Sequence, residues 1–222
     1  MQENSQHEEW IVDNLPNRLT IFRVLLVPLV VTALFFNLDF IAGTPAWKSM
    51  WGWTAGWIFV LASVTDFFDG YIARKKGIVT VFGSFLDPIA DKFLVVSSLL
   101  MLQALDRIPV LIVIVLVLRE FYITSLRLLA GERGLKVPVG QLGKWKTALQ
   151  MIGIPMLMAN APLWKIPLPI IGTITIYLSC IISVYSASQY SVQLLRKIKA
   201  VRQEKKIEKK LKSEADTNEL KE

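Results

Sequence analysis

Six apolar stretches follow one another along the chain, separated by short segments rich in glycine, proline and charge. Each is roughly 20 residues long, the length that an α-helix needs to cross a hydrocarbon layer about 30 Å thick. The pattern therefore predicts an all-α, polytopic membrane protein with six transmembrane helices. These helices cover residues 19–38, 50–73, 87–105, 108–130, 142–161 and 170–195.

The two ends of the chain differ from this apolar middle. The first residues are polar, and the end of the chain carries many alternating basic and acidic residues. We therefore predict a polar N-terminal segment (1–14), a six-helix membrane domain (15–195) and a charged cytoplasmic tail (196–222). The tail can lie along anionic lipid headgroups as an amphipathic helix or be solvated, and both interpretations stay open.

Lysine and arginine are distributed unevenly between the two sides of the predicted bundle. With both termini in the cytoplasm, the outer segments receive only Lys48, Arg107 and Lys165 of the 25 basic residues. Cytoplasmic loops of membrane proteins carry such an excess of basic residues. We therefore expect a multi-pass protein of the inner membrane with both termini in the cytoplasm.

The amino-acid composition limits which catalytic and metal sites the chain can contain. Hydrophobic residues make up 53% of the chain, and there is one cysteine and one histidine. These counts exclude a disulfide scaffold, a histidine triad and zinc sites built from histidine and cysteine clusters, so acid, base or metal chemistry must depend on carboxylates. The net charge of +7 indicates an anionic partner. A negative lipid leaflet or a phosphate-bearing substrate accounts for it without nucleic acid.

Four aspartates cluster at the predicted cytoplasmic ends of the second and third helices. Asp66 and Asp69 are three residues apart, and Asp87 and Asp91 are four apart, so each pair shares a helix face. Like charges at that depth take up protons or recruit cations, and oxygen ligands favour Mg²⁺, Mn²⁺ or Ca²⁺. The spacing therefore indicates a cytoplasmic site for two divalent ions that handles phosphate.

Helix caps and surface ion pairs offer a simpler interpretation of each aspartate singly. Asp87 can cap the third helix ahead of Pro88, and the first two aspartates can pair with Arg74 and Lys92 at the interface. This interpretation does not explain why small residues alternate with the acids, where a bulky ligand needs to approach the backbone. The small residues are Gly70, Ala73 and Gly83.

The eight positions together resemble the signature of the CDP-alcohol phosphatidyltransferase family. In this chain the motif reads Asp66-x2-Asp69-Gly70-x2-Ala73-Arg74-x8-Gly83-x3-Asp87-x3-Asp91. Further similarity lies in residues 14–23, 119–127 and 142–147, and the resemblance covers roughly residues 15–190. These segments are similar to the branch of the family that uses sn-glycerol 3-phosphate as the acceptor.

The resemblance implies an enzyme in which the 1-hydroxyl of sn-glycerol 3-phosphate attacks the β-phosphorus of CDP-diacylglycerol. CMP leaves, and the product is phosphatidylglycerol phosphate. Inositol phosphate and phosphatidylglycerol, the acceptors of sibling enzymes, stay open as alternatives. A divalent-cation transporter is an alternative of a different class, but it needs acids near the middle of the bilayer rather than at one end of the helices.

The resemblance also implies roles for the motif residues. The cofactor is two divalent ions, Mg²⁺ or Mn²⁺, and Asp91 is both the general base and a ligand of the second ion. The implied metal ligands are Asp66, Asp69, Asp87 and Asp91. The implied contacts to the CDP-lipid are Asp66, Asp69, Gly70, Ala73, Arg74 and Gly83.

Basic residues of the fourth and fifth helices form a second candidate site. A glycerol phosphate dianion needs several cations within reach. The resemblance matches the acceptor-phosphate pocket to Arg119, Arg127, Lys144 and Lys146. The alternative for Arg119 is an ion pair with Glu120 or an aspartate, and for the other three it is anchoring at the cytoplasmic surface. This pocket alone does not separate glycerol phosphate from inositol phosphate.

Gly52 and Gly56 form a GxxxG motif in the second helix. Such motifs let transmembrane helices approach closely, so a homodimer is an open prediction for the partners of this chain.

Overall fold

Six α-helices make up the part of the chain that the computed structural model describes, residues 15–38, 44–76, 81–132 and 140–219. No strand occurs in these ranges. The all-helical prediction and the order of the six elements are confirmed there. The helices are α1 (Leu15–Phe35), α2 (Pro45–Lys76), α3 (Val81–Ala104), α4 (Val110–Glu132), α5 (Gln141–Ala159) and α6 (Leu168–Glu219).

The sixth helix differs most from the prediction. Its apolar run ends near residue 195, whereas α6 continues to Glu219. Residues 196–219 contain no glycine or proline and are rich in lysine and glutamate, which have high helix propensity. The charged tail therefore continues the last helix.

Close helix packing depends on glycines. A Cβ atom on Gly153 of α5 would lie 3.2 Å from the carbonyl oxygen of Gly172 on α6. A Cβ atom on Gly52 of α2 would lie 2.5 Å from the carbonyl oxygen of Met158, and Gly56 also faces α5. The GxxxG motif is thus used for packing within the chain. It gives no support to a homodimer, which stays a prediction.

Arg107, in the turn between α3 and α4, ties several helix ends together. Its Nη1 donates to the carbonyl oxygens of Leu157 at 2.9 Å and Met158 at 2.7 Å, and its Nη2 donates to Asn37 Oδ1 at 2.7 Å. Asn37 in turn donates to the backbone oxygen of Lys48. We call this end of the helical bundle the Arg107 end. Since the helices alternate in direction, the opposite end holds the last turns of α2 and α4 and the first turns of α3 and α5.

The outward-facing surface of the bundle is apolar along several helices. Large side chains that are more than half exposed include Leu25 on α1, Trp57 on α2, Leu118 on α4, and Ile174 and Ile181 on α6. A helix on the surface of a water-soluble bundle normally carries polar side chains at such positions. Exposed apolar surface of this extent indicates contact with a membrane or a partner.

One helical stretch within the described residues, Leu168–Gln203, is long and apolar enough to cross a membrane when judged by length and composition. Shorter apolar stretches in the same part of the chain are Thr20–Phe35 and Lys92–Ala104.

Candidate functional site

Arg119 lies on α4, toward the end of the bundle opposite Arg107, and its side chain contacts α6. Its side chain is 10% exposed. Its Nε donates to the backbone oxygen of Ser183 at 3.2 Å, and its Nη2 donates to Ser186 Oγ at 3.4 Å. These two contacts hold the guanidinium against α6.

Glu120, the next residue of α4, links two cations. Its Oε1 accepts a hydrogen bond from Arg119 Nη1 at 3.1 Å and forms an ion pair with Lys146 Nζ of α5. Lys146 is only 3% exposed, and a buried charge is costly unless it is paired. One carboxylate oxygen thus connects a cation of α4 with a cation of α5.

The ion pair between Arg119 and Glu120, predicted as an alternative to phosphate binding, is present. The pair between Glu120 and Lys146 was missed. A signal for it existed, because Glu120 is the only acidic residue of α4 before Glu132, the last residue of the helix. An acid inside an apolar helix needs a partner, although the sequence does not say which one.

Arg127 lies two turns beyond Arg119 on the same helix. Its guanidinium carbon lies 5.8 Å from the centre of the Tyr190 ring, within the range of a cation–π interaction. Both arginines line a pocket between α4 and α6, together with Gly140, the residue before α5. The polar side chains that complete this lining are Ser186, Gln189 and Gln193.

The charges of the described side chains around this pocket do not cancel. Among them, Arg119, Arg127 and Lys146 carry three positive charges and Glu120 carries one negative charge, which leaves a surplus of two positive charges. Of the four basic residues matched to an acceptor site, the structure brings these three together, with Lys146 attached through Glu120. The fourth, Lys144, is exposed on α5.

Buried polar groups continue from this site into the bundle. Ser179 Oγ donates to the backbone oxygen of Lys146 at 3.3 Å. Gln150 is 1% exposed, and among the described atoms its Nε2 has no hydrogen-bond partner; the same holds for Ser183 Oγ. Since buried polar groups are normally paired, the region around Lys146 is unusually polar for the interior of an apolar bundle.

The aspartate motif comprises the last turns of α2 and the first turns of α3, and its residues are helical in both. The side chains of its eight residues lie outside the described residues: Asp66, Asp69, Gly70, Ala73, Arg74, Gly83, Asp87 and Asp91. Among the side chains that are described, no group of three or more acidic, histidine or cysteine residues is placed to hold a metal ion. The predicted metal ligands, CDP-lipid contacts and general base therefore stay predictions.

The chain belongs to the CDP-alcohol phosphatidyltransferase family, whose model matches residues 13–185. The match includes the complete aspartate motif and the charged residues of α4 and α5, and it ends within α6, before the charged extension of that helix. The predicted resemblance is therefore confirmed.

Named relatives narrow the comparison within this family. The chain is 36% identical over 178 residues to the CDP-diacylglycerol–glycerol-3-phosphate 3-phosphatidyltransferase of Rickettsia felis, with 80% of this chain and 93% of the relative covered. It is 37% identical over 180 residues to the Bacillus subtilis protein of the same name, with 80% and 93% covered. A probable phosphatidylglycerophosphate synthase of Mycobacterium tuberculosis is 34% identical over 192 residues, with 86% and 87% covered.

Proposed function

We propose that this chain transfers the phosphatidyl group of CDP-diacylglycerol to the 1-hydroxyl of sn-glycerol 3-phosphate, giving phosphatidylglycerol phosphate and CMP. Relatives named for this reaction align with 80% of the chain. The observation that carries the proposal is the pocket lined by Arg119 and Arg127, because the described charged side chains in and next to it have a surplus of two positive charges, which matches a phosphate dianion. An acceptor without phosphate gives no reason for that surplus.

The packing of α2 on α5 supports a location of the aspartate motif beside this pocket. Gly52 faces Met158, and Ser63 Oγ lies 3.2 Å from Met151 Sδ, so the two helices run antiparallel in a defined register. Continuing α2 by about one turn of 3.6 residues brings position 66 level with the region of Lys146 on α5. The first aspartate of the motif thus lies at the height of the basic residues.

The donor set of the motif suits two divalent ions. Four carboxylates provide only oxygen ligands, which Mg²⁺ and Mn²⁺ prefer. The proposed ligands are Asp66, Asp69, Asp87 and Asp91. When bound, the ions would neutralise the diphosphate and the charge that develops on the departing CMP.

Other residues of the chain bind the two substrates and take up the proton. Arg119 and Arg127 hold the acceptor phosphate, with Lys144 and Lys146 completing the basic site. Holding the phosphate at one end of the acceptor orients the hydroxyl at its other end. Asp91 takes the proton of that hydroxyl as general base. The CDP-lipid side consists of Asp66, Asp69, Gly70, Ala73, Arg74 and Gly83.

We also propose that all six helices cross the inner membrane, with both termini in the cytoplasm. The apolar surface around α1, α2, α4 and α6 supports this arrangement, because lipid tails are the natural surroundings of such side chains. Residues 15–195 are then the catalytic membrane domain, between the N-terminal segment 1–14 and the cytoplasmic tail 196–222. The lipid substrate can keep its acyl chains in the bilayer while its headgroup reaches the site.

Release of CMP from CDP-diacylglycerol tests this function. The detergent-purified protein is assayed with and without Mg²⁺, and with glycerol 3-phosphate, inositol phosphate or phosphatidylglycerol as the acceptor. We expect CMP release that requires Mg²⁺ and is fastest with glycerol 3-phosphate. Faster release with another acceptor would assign the chain to a sibling reaction. No release with any acceptor would contradict the proposed enzyme and favour the cation transporter.

A further inference from the structure

Glu120 pairs with two basic residues of the acceptor site, Arg119 and Lys146, and the proposed reaction gives it no role. It takes no proton and binds no metal in the proposed mechanism. Nevertheless, it lies inside an apolar helix, where an acidic side chain is costly unless it has a function or a partner. Its side chain is 20% exposed, so it is mostly removed from solvent.

The contacts of Glu120 show what it does locally. One oxygen, Oε1, accepts from Arg119 Nη1 at 3.1 Å and pairs with Lys146 Nζ. The other donors of Arg119 are directed to α6, through the backbone oxygen of Ser183 and the hydroxyl of Ser186. The orientation of the guanidinium is thus set from two sides, by α6 and by Glu120, and Lys146 ties Glu120 itself to α5.

We propose that Glu120 is a positioning residue of the acceptor site: by holding Arg119 and Lys146 together, it fixes the Arg119 guanidinium in the orientation that receives the acceptor phosphate. This inference rests on the proposed function and adds to it a residue that does not touch the substrate. Without Glu120, two cations would face each other across α4 and α5, and Lys146 would lose the carboxylate that pairs with it in the interior.

Positioning and simple electrostatics predict opposite results for this carboxylate. Among the described side chains, Glu120 is the carboxylate that pairs with Arg119 and Lys146. If only the local field mattered, its removal would make the pocket more positive and would lower the KM for an anionic acceptor. If Glu120 positions Arg119, its removal raises that KM, because the phosphate loses a correctly oriented charged donor.

The variant Glu120→Gln keeps the size of the side chain and removes its charge. We expect the KM for glycerol 3-phosphate to rise roughly tenfold or more, the effect of one charged hydrogen bond, while the KM for CDP-diacylglycerol changes less than about twofold. Glu120→Asp retains the carboxylate and should give an intermediate KM. The matched control is Glu132→Gln, which removes a carboxylate at the exposed end of the same helix and should leave both KM values unchanged.

A lower or unchanged KM for glycerol 3-phosphate in Glu120→Gln would overturn the inference, as would equal increases in both KM values. If Glu120→Gln does not fold, the KM values of Glu120→Asp test the inference instead. A rise in the KM for glycerol 3-phosphate alone supports a positioning role, and any other change in the two KM values contradicts it. Failure of the proposed function is recognised separately, because the unaltered protein would then release no CMP. Transfer by the unaltered protein without the expected change in the variants overturns the role of Glu120 alone.

Discussion

Arg107 and Arg119 are two arginines with different surroundings at different levels of the same bundle. Arg107 directs its guanidinium to two carbonyl oxygens at the end of α5 and to the side chain of Asn37. The hydrogen bonds of Arg119 are longer, at 3.1–3.4 Å; it shares the carboxylate of Glu120 with Lys146, and it lines a pocket together with Arg127. Hydropathy places Arg107 between two apolar runs and Arg119 inside one, but it does not show what either arginine binds.

The difference lies in what satisfies each charge. The last carbonyls of a helix lack helical hydrogen-bond partners, and the negative end of the helix dipole favours a cation. Arg107 supplies both the hydrogen bonds and the positive charge, so it stabilises the fold at the end of α5. Among the side chains that the structure describes around Arg119, the positive charges exceed the negative ones, an arrangement that an anion would stabilise. A local surplus of charge beside a pocket therefore identifies a ligand site better than the mere presence of a charged residue.

The largest effect expected from this comparison concerns Asp91, near the start of α3 and so at the end of the bundle opposite Arg107. We propose that the reaction takes place at that end. Asp91→Asn should lower kcat by about 10²–10⁴-fold, the usual contribution of a general base. The matched control is Asp106→Asn at the Arg107 end, where the residue is exposed and has a φ of 53°, a conformation that asparagine tolerates. CMP release measures both variants. Activity of Asp91→Asn close to that of the unaltered protein would exclude Asp91 as the base.

The second effect concerns the surplus charge of the pocket. Arg127→Ala combined with Lys144→Ala should raise the KM for glycerol 3-phosphate by roughly 10–100-fold, since contacts to charged groups contribute about 1.5–3 kcal/mol each. The KM for CDP-diacylglycerol should change much less. Lys165→Ala, which removes an exposed cation between α5 and α6, is the control for net charge. Equal changes in the two KM values would remove Arg127 and Lys144 from the acceptor site.

The third effect falls on stability. Arg107→Ala should lower the free energy of unfolding by roughly 1.5–3 kcal/mol, because the carbonyls of Leu157 and Met158 lose a charged donor. The KM for glycerol 3-phosphate should stay within about twofold. Thermal unfolding in detergent and the transfer assay measure the two quantities. A large change in KM with unchanged stability would reverse the roles that we assign to the two arginines.

The smallest effect concerns packing at the Arg107 end. Gly52→Ala places a methyl group against the carbonyl oxygen of Met158 and 3.2 Å from the Asn37 amide nitrogen, so we expect a loss of about 1–3 kcal/mol of stability. Gly131→Ala is the control, because nothing lies within 4 Å of the added carbon atom; there, the higher helix propensity of alanine should stabilise the protein slightly. Thermal unfolding compares the two variants. Equal melting temperatures would mean that α2 and α5 are not packed this closely.

Several properties of this protein follow from the sequence by itself. The six helices are predictable because each is a continuous apolar run that ends at glycine, proline or charge, which is local information. Family membership is predictable because eight motif residues keep a fixed spacing across two helices. The end of α6 was not predicted, because the end of hydrophobicity marks the end of the apolar run and leaves open whether the charged tail is helical; α6 continues to Glu219, since the charged residues that follow also favour helix.

Only the tertiary structure decided which helix faces meet. It paired Glu120 with Lys146, 26 residues away on another helix, and turned the GxxxG motif of α2 toward α5 of the same chain. It also gave Arg107 its carbonyl partners on α5. The physical reason is that helices with apolar residues on all sides carry little periodic signal of an inward face. Their orientation is set by close packing at glycines and by the few polar groups that must find partners, and these partners are distant in sequence.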